Sequence, residues 1–100
     1  MQSLKIIANL FFYATTIMNE NRIYYNGYCP AFKIRDDMFN SGLIEFINIT
    51  KVNAGDRNIK AYITFLNKSL LSNYIKEGLH FTFGEGDKIL GEGIVLKVCD

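Results

Sequence analysis

Tryptophan is absent from the 100 residues, histidine and proline each occur once, and there are only two cysteines. Each scarcity removes a class of explanation. A single proline argues against a proline-rich disordered chain. Cys29 and Cys99 lie far apart, outside any C-x-x-C or zinc-like spacing, so they make no disulfide framework and no metal knuckle. They read as free thiols, which fits a reducing cytoplasm. Neither sign of charge dominates: the net charge is +1, which supplies no global pull toward nucleic acid or membrane. No apolar stretch is long enough for a membrane helix. Leu4–Thr16 falls short of the ~20 residues needed to span a bilayer. Its lone Lys5 and its bulky Phe11, Phe12 and Tyr13 do not suit a cleavable leader, so it reads as a first strand. No membrane partner is expected.

What is present is an ordinary globular balance, 49% hydrophobic with 21% charged residues, and a chain of one-domain size. The dominant period is two. Asn58–Phe65 alternates Ile59, Ala61, Ile63 and Phe65 against Lys60, Tyr62 and Thr64, the pattern of a half-buried strand. Tyr28–Arg35 and Leu43–Ile49 read as two more strands, with Asp36–Ser41 as the turn region between them. Pro30 is confined to an edge, a strand start or a bulge. Met18–Asn26 is polar and reads as a loop able to carry a short paired segment. In Asn53-Ala54-Gly55-Asp56, a turn signal, Gly55 is able to take positive φ. Leu66–Glu77 is ambiguous, because Leu70, Leu71, Tyr74 and Ile75 fall at helical spacing and allow one or two helical turns.

The C-terminal hairpin is the most informative segment. Leu79–Phe83 alternates, Gly84–Asp87 turns, and Lys88–Val98 alternates again with Gly91 and Gly93 inside it. Glycines inside a strand cost stability and call for a bend, a bulge or close backbone approach. Six strands at near-regular spacing, ending in such a hairpin, predict an all-β, six-stranded antiparallel closed barrel.

Catalytic groups do not assemble on paper. His80 lies in a strand, where a surface or partner-facing role outweighs catalysis. Asp36-Asp37 is a turn doublet with no third ligand, so no metal is expected. There is no G-x-x-x-x-G-K-[ST] phosphate loop, and the glycines of Gly84-Glu85-Gly86 and Gly91-Glu92-Gly93 sit in a hairpin rather than at a helix N-terminus. The expectation is a non-enzymatic protein without cofactors.

Three islands carry a family resemblance. Gly78–Val95 resembles the "G-L-R-F-A-I-R-E-G-G-R-T-V-G-A-G-V-V" pattern that closes the last barrel of bacterial elongation factor Tu. Gly27–Phe32 resembles that family's "G-Y-R-P-Q-F", and Asn53–Asp56 its "M-P-G-D". They occur in order, over roughly residues 4–100. The resemblance is to the third domain alone, so it implies no GTP hydrolysis. It implies contact with the T-stem backbone of tRNA and with translation factors. Glu85 and Gly86 match the family's Glu-Gly turn at the RNA. Ser41 stands for a threonine before a glycine, and Lys68 for a lysine after the fourth strand. Ala31, Cys29 and Gly84 replace a glutamine and two arginines, which implies that tRNA is held weakly. The competing expectation is a protein-interaction or decoy barrel with no RNA role. There Leu70, Leu71, Tyr74 and Ile75 meet a partner, and self-association as a homodimer covers flanks that the family's other domains would bury.

Overall fold

Nine alternating residues, Leu4–Phe12, form β1. Leu4, Ile6, Ala8, Leu10 and Phe12 are buried, whereas Lys5, Ile7, Asn9 and Phe11 face outward. The computed structural model describes residues 2–14 and 22–99. The Thr15–Thr16 end of the expected first strand, and residues 18–21 of the expected loop, lie outside those residues. The remaining elements are β2 (Ile23–Tyr25), β3 (Ala31–Arg35), β4 (Met38–Phe46), β5 (Lys51–Asn53), β6 (Ile59–Phe65), α1 (Lys68–Leu71), β7 (His80–Glu85) and β8 (Lys88–Cys99).

Six strands close into an antiparallel barrel in the order β1-β6-β4-β3-β7-β8, as the alternation predicts. Closure pairs β1 with β6 on one side and β8 on the other, so neither of its edges is free. β2 and β5 form a separate two-stranded ribbon. The ribbon lies against one barrel end through Tyr24, whose ring centroid is 4.6 Å from that of Phe12 and 4.9 Å from that of Tyr28. Pro30 immediately precedes β3, one of the places open to a residue without an N–H.

The barrel lumen is filled by aromatic side chains. Phe32 is central, with ring centroids of Phe65, Phe81 and Phe83 at 5.3, 5.5 and 5.6 Å. Interior glycines make room for these rings. A Cβ at Gly91 would lie 2.3 Å from Phe83 Cζ and 2.6 Å from the Phe11 carbonyl oxygen. One at Gly93 would lie 2.7 Å from Phe81 Cζ, and one at Gly42 would lie 2.8 Å from Phe32 Cε1. Of the reasons open to strand glycines, close approach is the one realised at Gly91 and Gly93. The bends come from bulges beside them. The β7–β8 register shifts between Phe83 and Gly84, and the β1–β8 register shifts between Ile7 and Ala8.

Strand and turn limits differ from those the alternation predicts, and β3 begins at Ala31 rather than Tyr28. The turn after β3 is only Asp36-Asp37, not Asp36–Ser41, and β4 begins at Met38 because half-buried Met38 and Asn40 continue the alternation. It ends at Phe46 rather than Ile49, ahead of Asn48 at φ 66°. The last hairpin turns on Gly86-Asp87 alone, so Glu85 is the final residue of β7 and pairs with Lys88. The segment after β6 makes one helical turn, capped by the Asn67 side chain, which accepts from the Leu70 N–H. It does not present four apolar residues to a partner. Leu71 and Ile75 are buried in the core, because the turn folds them inward under the barrel end. Leu70 is exposed, and Tyr74 is half-buried beneath the Arg35 guanidinium, 4.8 Å from its ring centroid.

Leu71→Ala lowers the free energy of unfolding by ~2–5 kcal/mol, as for other core truncations. Leu70→Ala changes it by less than ~0.5 kcal/mol, as for exposed sites. Urea unfolding of the two variants checks this, and equal small losses would remove Leu71 from the core. Gly91→Ala, which inserts a methyl between Phe83 and a backbone carbonyl, costs ~1–3 kcal/mol by the same measurement.

Candidate nucleic-acid interface

Strand register assembles part of the expected RNA site. Ser41 on β4 pairs with Ala31 on β3, and Ala31 pairs with Gly84 on β7. One row across three strands therefore brings Ser41 toward the Glu85–Gly86 end of the last hairpin. Gly86 has φ +59°, the left-handed conformation that this two-residue turn requires. The position before Glu85 has no room for the family's arginine. A Cβ on Gly84 would sit 1.9 Å from the Lys88 carbonyl oxygen. Lys68 opens α1 beyond the end of β6, where its N–H donates to the Gln2 carbonyl at 3.2 Å. There it lines a cleft with Gln2, Asn67, Ser69 and Ser72.

Glu85 is not a free carboxylate. The Arg22 guanidinium forms an ion pair with it, and the Tyr28 hydroxyl donates to its Oε2 at 2.7 Å. Arg22 in turn lies over the Tyr24 ring at 4.7 Å and the Tyr28 ring at 5.6 Å from their centroids. The hydrogen bond from Arg22 holds the Glu85 carboxyl below the usual carboxylate range, and the Tyr28 hydroxyl adds to this. Burial, followed by the bond to Glu85, pushes the Tyr28 phenol up. The Tyr24 hydroxyl is buried with no hydrogen-bond partner among the described residues, and burial raises its pKa. The cluster ties the β2–β5 ribbon to the end of β7. It also pairs off the charge of Glu85, the acidic residue that the resemblance implies as an RNA contact.

A sequence reading cannot find Arg22, because it stands 63 residues from Glu85. The only available signal is a cation next to a tyrosine-rich run. Tyr28 divides its role, with a half-buried ring and a hydroxyl on Glu85.

A second polar group lies farther along β8. The Tyr13 hydroxyl donates to Glu92 Oε1 at 2.6 Å, and His80 Nε2 lies 3.3 Å from Glu92 Oε2. The Tyr13 bond, then that of His80, lowers the Glu92 carboxyl pKa. Burial and the bond to Glu92 push the Tyr13 phenol up to about 12. Beside this group is a shallow cleft of about 240 Å³, whose lining includes Asn9, Phe11, Arg57 and Asn58. Cys29 is exposed and Cys99 half-buried, both as free thiols.

The pH dependence of the Glu85 cluster has a definite sign. Its carboxyl is depressed in the folded state below the unfolded value of 4.5. The stabilisation is therefore complete above that value and is lost as pH falls through the depressed one. Glu85→Gln should lose stability relative to the parent at neutral pH, and the gap should close in acid. Because both partners are partly exposed, the Arg22–Glu85 coupling in a double-mutant cycle should be ~0.2–1 kcal/mol. Thermal unfolding across pH checks both, and a gap that widened in acid would remove the ion pair as its cause.

Protein-family models match no part of this chain, and the curated proteins contain no match to it.

Proposed function

We propose that the chain is a non-enzymatic binding module that acts from its outer surface on RNA, in the manner of the third domain of elongation factor Tu that it resembles. The observation that carries this reading is the β4–β3–β7 row, which brings Ser41 together with the Glu85–Gly86 hairpin on a rigid, closed barrel. The lumen is packed with phenylalanine rings, so binding falls to the exterior. A rigid rim of turns suits contact with sugar and phosphate, which orients RNA without reading its bases. The hairpin end brings little positive charge of its own. Arg22 is committed to Glu85, and the two arginines of the family pattern are Cys29 and Gly84 here. Binding to tRNA through this end is therefore weak and fades with salt.

A second reading, a protein-interaction barrel that pairs with a copy of itself, is favoured by one observation. Phe39 and Ile89 are 61% and 58% exposed and line one groove of about 180 Å³ between the β3–β4 and β7–β8 hairpins. Exposed apolar residues clustered in this way mark interaction surfaces.

Fluorescence anisotropy with labelled aminoacyl-tRNA and deacylated tRNA, titrated across a salt series, tests the first reading. The expected result is binding at low salt with a Kd weaker than micromolar at physiological salt. No binding at low salt would sink it. Sedimentation in the same buffers tests the second: a concentration-dependent dimer, lost in Phe39→Ser, supports it, and a monomer at high concentration removes it.

A further inference from the structure

The outer face of β8, β1 and β6 carries the positive charge that the hairpin end lacks. Register fixes its layout. Lys5 on β1 pairs with Thr64 and Cys99. Two residues on, Ile7 pairs with Lys97 of β8. After two more, Asn9 pairs with Lys60 of β6. A further two bring Phe11, and the Arg57 guanidinium lies over its ring at 4.6 Å from the centroid. All four cations are exposed. Along β1 they fall at successive two-residue levels, roughly 7 Å apart from the rise of a strand. Lys97 on β8 and Lys60 on β6 flank β1 on opposite sides, so the cations zigzag across a band three strands wide.

Lys97 reaches this face because of the β8 bulge. The register shift between Ile7 and Ala8 leaves Leu96 as the extra residue, and Leu96 and Lys97 are both exposed. Without it, strict alternation would send Lys97 inward after Val95. None of Lys5, Lys60, Lys97 and Arg57 has a carboxylate in ion-pair contact among the described residues. Among the described residues, the acidic residues on or beside the face are Glu92, held by Tyr13 and His80, and Glu45 of the adjoining β4, which pairs with Tyr62. Lys5 lies over the Tyr62 ring at 4.5 Å from the centroid, so Tyr62 and Phe11 are each covered by a cation that is free to turn toward a phosphate.

We infer that this face is a track for the phosphate backbone of single-stranded RNA, with Lys5, Lys97, Lys60 and Arg57 as successive phosphate contacts and Tyr62 and Phe11 as rings on which bases stack. The inference rests on the reading that the barrel contacts RNA, and it assigns the surface. Charge complementarity selects the occupant: the chain as a whole carries +1, whereas among the described residues this face carries four cations against the carboxylates of Glu92 and the neighbouring Glu45. Phosphate contacts release counterions, so each leaves a signature in the salt dependence of binding. Base–aromatic stacking adds affinity without sequence preference.

The test is anisotropy with a fluorescein-labelled oligouridylate across a salt series. It uses the parent chain and Lys5→Gln, Lys60→Gln, Lys97→Gln and Arg57→Gln variants, singly and combined. These side chains are exposed, and unchanged thermal unfolding confirms that each variant is folded. Each substitution should reduce the slope of log K against log salt by about 0.7. Lys60→Arg should restore it. Tyr62→Ala should weaken binding without changing the slope. If the four substitutions leave the slope unmoved while Ser41→Ala or Gly86→Ala abolishes binding, the track is wrong and the hairpin reading stands. If the parent binds neither oligouridylate nor tRNA at low salt, both fall. Binding to phosphatidylserine vesicles in preference to oligouridylate would overturn the choice of nucleic acid.

Discussion

The barrel depends on fitting aromatic rings into a lumen made by only six strands. Phe32, Phe65, Phe81 and Phe83 meet edge-on or tilted, at the centroid separations favoured by aromatic pairs. Gly42, Gly91 and Gly93 face these rings from neighbouring strands, where a methyl group would fall inside contact distance. Ring and glycine are thus two halves of one device. The loss of strand propensity at each glycine is offset by burial of a large apolar surface. The bulges that shift β8 relative to β1 and β7 belong to the same solution, because they let a long strand curve around the packed rings.

Once the interior is committed in this way, chemistry is left to the rim and the outer faces, and these differ in character. At the rim, Arg22, Tyr24, Tyr28 and Glu85 form a closed set of mutual contacts that fastens the β2–β5 ribbon to the barrel. It is internally satisfied, apart from the buried Tyr24 hydroxyl, and nearly neutral. On the β8–β1–β6 face the four cations have no carboxylate in ion-pair contact among the described residues, and two of them, Lys5 and Arg57, lie over aromatic rings. The ion pair at the rim, and its absence on this face, separate a surface used for architecture from one whose cations are open to an anionic ligand.

Much of the fold was legible because period-two alternation is a local property. β6 is a clear case: Ala61, Ile63 and Phe65 are buried as the pattern requires. Gly91 and Gly93 announced a bend, a bulge or a close approach, and only the structure shows that close approach to Phe83 and Phe81 is the reason. Strand ends were less legible. Met38 and Asn40 looked like turn residues beside Asp36-Asp37, yet pairing with β3 extends β4 through them. Leu71 and Ile75 show a different limit. Helical spacing located an apolar face correctly but did not say whether it points into the barrel end or toward a partner. The candidate sites were the least legible, since Arg22 meets Glu85, and Lys97 joins Lys5 and Lys60, only through long-range register.

That register also bears on how the chain folds. Lys5 is neighbour to both Thr64 and Cys99, so β1 finds both of its partners far along the chain. Until β8 pairs with it, β1 has a bare edge and an apolar face. Local closure cannot shield it, because few of its contacts are near in sequence. Topologies of this kind fold slowly and expose aggregation-prone strands meanwhile. The open chain is therefore exposed to aggregation in a way that the closed barrel is not.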